Sequence, residues 1–110
     1  MLSRELGLRI SAETESCDGA VEHFFSARPG IVLLDVCLPP FGGFEVARTI
    51  RQSDSRCSII LLQNTTDPFV GQIARLVGVT EVCYKHGKLF GLREAIRRSQ
   101  RSANVLPNSE

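Results

Sequence analysis

The sequence carries no excess of either charge: 13 Lys and Arg stand against 12 Asp and Glu, leaving a formal net charge of +1. That balance gives no general reason to expect nucleic acid or an acidic partner. No apolar run is long enough to span a membrane, and Met1–Leu6 is too polar for a secretory signal. A soluble, cytoplasmic protein is expected. The four cysteines (Cys17, Cys37, Cys57, Cys83) are widely scattered and form no CxxC pair. This argues against a zinc site and for small buried thiols in a reducing compartment. Gly-rich phosphate loops, a Ser-His-Asp set, a metal-ligand cluster and internal repeats are all missing, so an unrelated α/β enzyme has no support. With 110 residues the chain has room for one small domain with one core.

The most informative stretch is Ile31-Val32-Leu33-Leu34-Asp35-Val36-Cys37-Leu38-Pro39-Pro40-Phe41-Gly42-Gly43-Phe44. Four apolar residues run into one carboxylate. A short continuous apolar run predicts a strand buried on both faces, as in parallel sheets. Such a strand delivers Asp35 to the carboxyl edge, where open α/β folds place their ligand sites. Two prolines and two glycines then enforce a defined turn before the next helix.

Elsewhere the elements alternate. Residues 1–7 read as the tail of a helix stopped by Gly7, and 8–14 as a short strand of alternating character. Ala20, Val21, Phe24, Phe25 and Ala27 recur at helical spacing, with both phenylalanines expected in the core, and Pro29-Gly30 closes that helix. The strand at 31–36 is followed by a helix over 44–51, a buried strand over 58–62 and a helix from Pro68 to about Val77. The inner stripe of that last helix is expected to be Val70, Ile73, Ala74 and Val77. A strand over 81–84 leads to Lys85, and an amphipathic helix runs to about Arg101. Its arginines 93, 97, 98 and 101 suggest a solvated face. Residues 102–110 are expected to be a disordered tail. Strands alternating with helices give an α/β fold: one domain over 1–101, with a parallel sheet and helices on both faces.

The stretch around Asp35 resembles the phosphoacceptor loop of bacterial response-regulator receiver domains, the CheY-like superfamily with its flavodoxin-like fold. There a buried strand ends in aspartate, methionine or leucine and then proline follow, and glycine and glutamate open the next helix. Here those positions are Asp35, Leu38, Pro39, Gly43 and Glu45, while Pro40 and Gly42 depart from the family's usual glycine and acid or asparagine. The resemblance covers nearly everything from Leu6 to Arg98.

It implies a two-component phosphorelay module, not an enzyme in its own right. Asp35 would be the phosphoacceptor. Lys85, directly after the third buried strand, would contact the phosphoryl group. Mg2+ would sit on the Asp35 carboxylate and the Cys37 backbone carbonyl. The implied partners are a histidine kinase or phosphotransfer protein, and a downstream protein met through the last helix–strand–helix face. A homodimer is compatible; direct nucleic-acid or membrane binding is not implied. The family's switch hydroxyl position falls on Gln63 and its switch aromatic on Val82. The family's adjacent acid pair, at the end of a first strand, would lie before Met1, and the 110 residues contain no two adjacent acids. The chain therefore reads as N-terminally truncated or degenerate. Weak or absent magnesium-dependent phosphorylation is expected of it. The alternative function is a pseudo-receiver, an interaction module independent of phosphorylation.

Overall fold

The fold is known from a computed structural model, which describes residues 14–64, 67–84 and 89–105. The helix tail expected over 1–7 and most of the strand expected over 8–14 lie outside the described residues. In order come α1 (Cys17–Ala27), β1 (Ile31–Asp35), α2 (Gly43–Ser53), β2 (Ser58–Gln63), α3 (Pro68–Leu76), β3 (Glu81–Tyr84) and α4 (Leu89–Val105). The strands form a parallel sheet in the order β1-β2-β3, with Asp35 opposite Leu62 and Gln63 opposite Tyr84. This is the doubly covered α/β architecture that alternating apolar runs and helical stripes predict.

Side chains alternate across the sheet. Leu34, Ile59 and Leu61 point to one face and pack with Phe24, Val46, Ala47, Ile50 and Ala74 of the first three helices. Ile60 and Leu62 point to the other and pack with Leu92, Ala95 and Ile96 of α4. β2, covered on both faces and flanked on both edges, is the most buried strand among the described residues.

The local chemistry at the element ends is legible. The Gly19 N–H donates to the N-cap Ser16 Oγ (3.1 Å), and the Phe69 N–H donates to the N-cap Asp67 Oδ1 (3.0 Å) ahead of Pro68. The Asp54 carboxylate accepts from the Arg56 and Cys57 N–H groups at 2.8 and 3.1 Å, shaping the turn into β2. These bonds, the Arg56 one foremost, hold its carboxyl below the ordinary value.

Three expectations are corrected. Ile73 is 41% exposed, because the inner face of α3 is carried by Val70 and Ala74, with Val77 partly buried. Phe25 is likewise 41% exposed: Phe24 alone enters the core, and Arg28 stacks its guanidinium on both rings at 5.3 and 4.9 Å. Helix α4 continues through 102–105, in place of the disordered tail expected from Ser102 onward. Nothing from Ser102 to Val105 breaks a helix, and the first breaker is Pro107, which disfavours helix at the residue before it.

The thiols divide by position: Cys17 and Cys57 are buried, Cys83 is intermediate and Cys37 is exposed. Burial, with the Asp54 carboxylate second, pushes the Cys57 thiol up to about 11 from an ordinary 9.0. A raised folded-state value means that stability is fully present below the unfolded value and is lost as pH rises towards the folded one. From pH 9.0 to about 11 the wild type therefore loses more stability than Cys57→Ala, with roughly 2 kcal/mol as the ceiling of the difference. Urea midpoints at the two ends of that window test this, and equal losses would contradict it.

Candidate functional site

The site grows from the end of β1. Asp35 closes the strand, and the Val36 N–H still donates to the Leu62 carbonyl (2.9 Å), so the sheet ladder holds the backbone on both sides of the carboxylate. The chain then turns on itself. The Cys37 N–H donates to Asp35 Oδ1 at 2.8 Å, and the Leu38 N–H to the Asp35 carbonyl at 3.1 Å. This is an Asx turn, which fixes the carboxylate through its own backbone. The Gly42 N–H reaches the Leu38 carbonyl (2.6 Å) and the Gly43 N–H the Val36 carbonyl (2.9 Å). The Pro39–Pro40 peptide bond is cis.

Two anchors pin this loop. From α1, the Cys17 N–H donates to the Pro39 carbonyl (2.8 Å), and the Cys17 thiol to the Leu38 carbonyl (3.3 Å). From inside, Gly43 opens α2 directly against the Asp35 carbonyl, where a Cβ would sit well inside van der Waals contact with that oxygen. Gly42 adopts φ 95°, a conformation that suits glycine. The sequence marks these glycines as turn formers. The tight approach of Gly43 to Asp35 is a further, packing role that a single sequence does not signal.

Gln63 ends β2 beside Asp35's partner in the register, so the two neighbouring strand ends bring an acid and an amide to one edge. Its Oε1 is buried and has no hydrogen-bond partner among the described residues. A lone buried acceptor favours an incoming donor. Val82 packs in the cluster under α2 and α3, and Cys83 in the cluster under α4. Tyr84 ends β3 at 51% exposure. Lys85 lies outside the described residues.

The donors for Mg2+ can be weighed directly. Asp35 supplies a carboxylate already engaged by the Cys37 N–H, and Cys37 could supply a carbonyl. Among the described residues no three His, Cys, Asp or Glu side chains gather as a metal site. A single carboxylate with one carbonyl leaves most of the near-octahedral oxygen shell of Mg2+ to water, so the described residues alone make a weak site for the ion. No helix among the described residues is long and apolar enough to cross a membrane.

The family model described as "Response regulator receiver domain" matches residues 1–97. The transcriptional regulatory protein AfsQ1 of Streptomyces coelicolor is 31% identical over 101 residues, covering 88% of this chain and 44% of that protein. The uncharacterized transcriptional regulatory protein YkoG of Bacillus subtilis is 47% identical over 49 residues, covering 44% of this chain and 20% of that protein. The chain thus spans less than half the length of these relatives. Among solved structures, the signal receiver domain of a Luxo repressor protein from Vibrio parahaemolyticus superposes with a TM-score of 0.86 at 18% identity, covering 99% of this chain and 83% of that one. A LuxR-family response regulator from Aurantimonas reaches 0.78 at 27% identity, covering 84% of this chain and 66% of that one.

Proposed function

Because the chain belongs to the response regulator receiver domain family, we propose that it is the receiver module of a two-component phosphorelay, with Asp35 as its phosphoacceptor. The observation that carries this reading is the Asp35 carboxylate, held at the carboxyl edge of a parallel sheet by its own turn and by the close approach of Gly43. A carboxylate oxygen attacks the phosphorus of a phosphohistidine or small acyl-phosphate donor. The bond from phosphorus to the donor breaks, the donor leaves with the electron pair, and an acyl phosphate remains. Such transfer depends on positioning and charge stabilisation more than on covalent help from the protein. Lys85, one residue past β3, is the cation proposed to meet the phosphoryl oxygens.

Receiver domains generally are not enzymes, and those of this family bind Mg2+ at the phosphorylation site. For this chain we propose a cytoplasmic location, a histidine kinase or phosphotransfer protein as donor, and output by protein contact through the face built from α3, β3 and α4. Gln63 and Val82 stand where the resemblance puts the switch. The Gln63 amide would offer a hydrogen bond to the phosphoryl group in place of a hydroxyl.

A second reading is a phosphorylation-independent interaction module. It is favoured by Gln63, whose longer side chain lacks the compact geometry of a hydroxyl. Incubation with a small acyl-phosphate donor and Mg2+, followed by intact mass, separates the two. The first reading expects a sub-stoichiometric phosphoryl adduct that is absent from Asp35→Ala. A folded wild type that takes up none would favour the second.

A further inference from the structure

At the amino edge of the sheet, opposite Asp35, the carboxyl ends of α2 and α3 leave a shallow open groove of about 270 Å³. Arg48, Arg51, Arg75 and Leu76 are among the residues lining it. Arg51 is committed to the fold: its Nε donates to the Gly78 carbonyl (2.9 Å) and its Nη1 to the Asp54 carbonyl (3.0 Å). Arg48 makes only a long, exposed contact to Glu45 (3.5 Å), and Arg75 has no ion-pair partner among the described residues. Leu76, which lines the same groove, is 85% exposed, at the end of an apolar ridge with Ile73 and Phe69. Cations around a bare leucine suit an acidic, partly apolar protein surface better than a phosphodiester backbone, which offers nothing to the leucine.

The chain itself carries such a surface. Glu15, Asp18 and Glu22 form an exposed stripe along and just before α1, at helical spacing, continued by half-exposed Phe25. None of the three acids has an ion-pair partner among the described residues. Helix α1 packs against α2, and the groove opens between α2 and α3. The acidic stripe and the basic groove are therefore on opposite flanks of α2, where one molecule cannot join them.

We propose that a second copy of this chain occupies the groove, its α1 acids on Arg48 and Arg75 and its Phe25 end on the Leu76 ridge. The contact is heterologous: each copy gives its α1 to one neighbour and its groove to another, so assembly runs head to tail. Exposed charge pairs around a small apolar centre make a weak contact that salt screens. On the copy that gives its groove, the contact lies at the edge of the sheet opposite Asp35.

Sedimentation equilibrium on the full chain tests this over loadings from about 1 µM to about 1 mM, the range of weak to moderate affinity. The wild type is expected to gain mass with concentration, at least tenfold less readily when salt is raised. The double variants Arg48→Glu/Arg75→Glu and Asp18→Ala/Glu22→Ala should each stay monomeric, with unchanged circular dichroism. Mixed, they should form a 1:1 dimer that grows no further, because one retains an intact α1 and the other an intact groove. A wild type that is monomeric throughout would overturn the proposal, even if the groove then bound an acidic peptide or DNA. Variants that associate like the wild type, or a mixture that stays monomeric, would overturn it too.

Discussion

Leu61→Ala lowers the stability of this domain by about 2–5 kcal/mol. Leu61 is fully buried in the middle of β2, the strand with a neighbour on each edge and helices on both faces. Its side chain enters the larger core cluster with Val46, Ile50 and Ala74, so truncation empties a space bounded by α2 and α3 at once. Close-packed surroundings relax only partly, and the cavity adds to the lost transfer free energy. For a domain of this size the melting temperature should fall by more than about 10 °C. Leu76→Ala removes the same atoms from a side chain that is 85% exposed, and is expected to change stability by no more than about 0.5 kcal/mol. Thermal melts of the two variants check the pair. Similar losses would mean that the core is not where the structure puts it.

Gly43→Ala couples stability to the site. A single Cβ there meets the Asp35 carbonyl oxygen and approaches Leu61, and the first of these is backbone that cannot rotate away. Either β1 or the start of α2 must shift, which costs about 1–3 kcal/mol. The shift falls on the peptide that holds the Asp35 carboxylate, so phosphoryl uptake should drop as well. Gly71→Ala is the matched control. It lies within α3, where an added methyl group would meet nothing within 4 Å, and the same substitution is expected to stabilise by about 0.4–1 kcal/mol. Opposite signs in urea midpoints support the account. Two substitutions of the same sign would remove the argument that Gly43 is required by proximity.

Much of this architecture is legible in the sequence, because the strongest local signals coincide with the most buried elements. Ile31–Asp35 and Ser58–Gln63 are short apolar runs bounded by turn residues, and both are parallel strands. The receiver family is likewise readable from Asp35, Leu38, Pro39, Gly43 and Glu45. What periodicity does not settle is how each helix is rotated on the sheet. Ile73 and Phe25 fit an apolar stripe, yet they lie at its edge, where α3 and α1 turn away from the core. The end of α4 is hidden in the sequence because polar residues such as Ser102 and Asn104 read as a tail, although they do not forbid a helix. The lock between Gly43 and Asp35 and the groove beside Arg75 depend on approaches between segments, which no local pattern records.

Under the proposed function, the carboxylate at position 35 receives the phosphoryl group. The most direct test is to locate the adduct. Borohydride reduces an aspartyl phosphate to homoserine, and peptide mass mapping then reads the position. Homoserine is expected at position 35 in the wild type after treatment with an acyl-phosphate donor and Mg2+, and at no other aspartate. Homoserine elsewhere, or none from a chain shown to be folded, would contradict it.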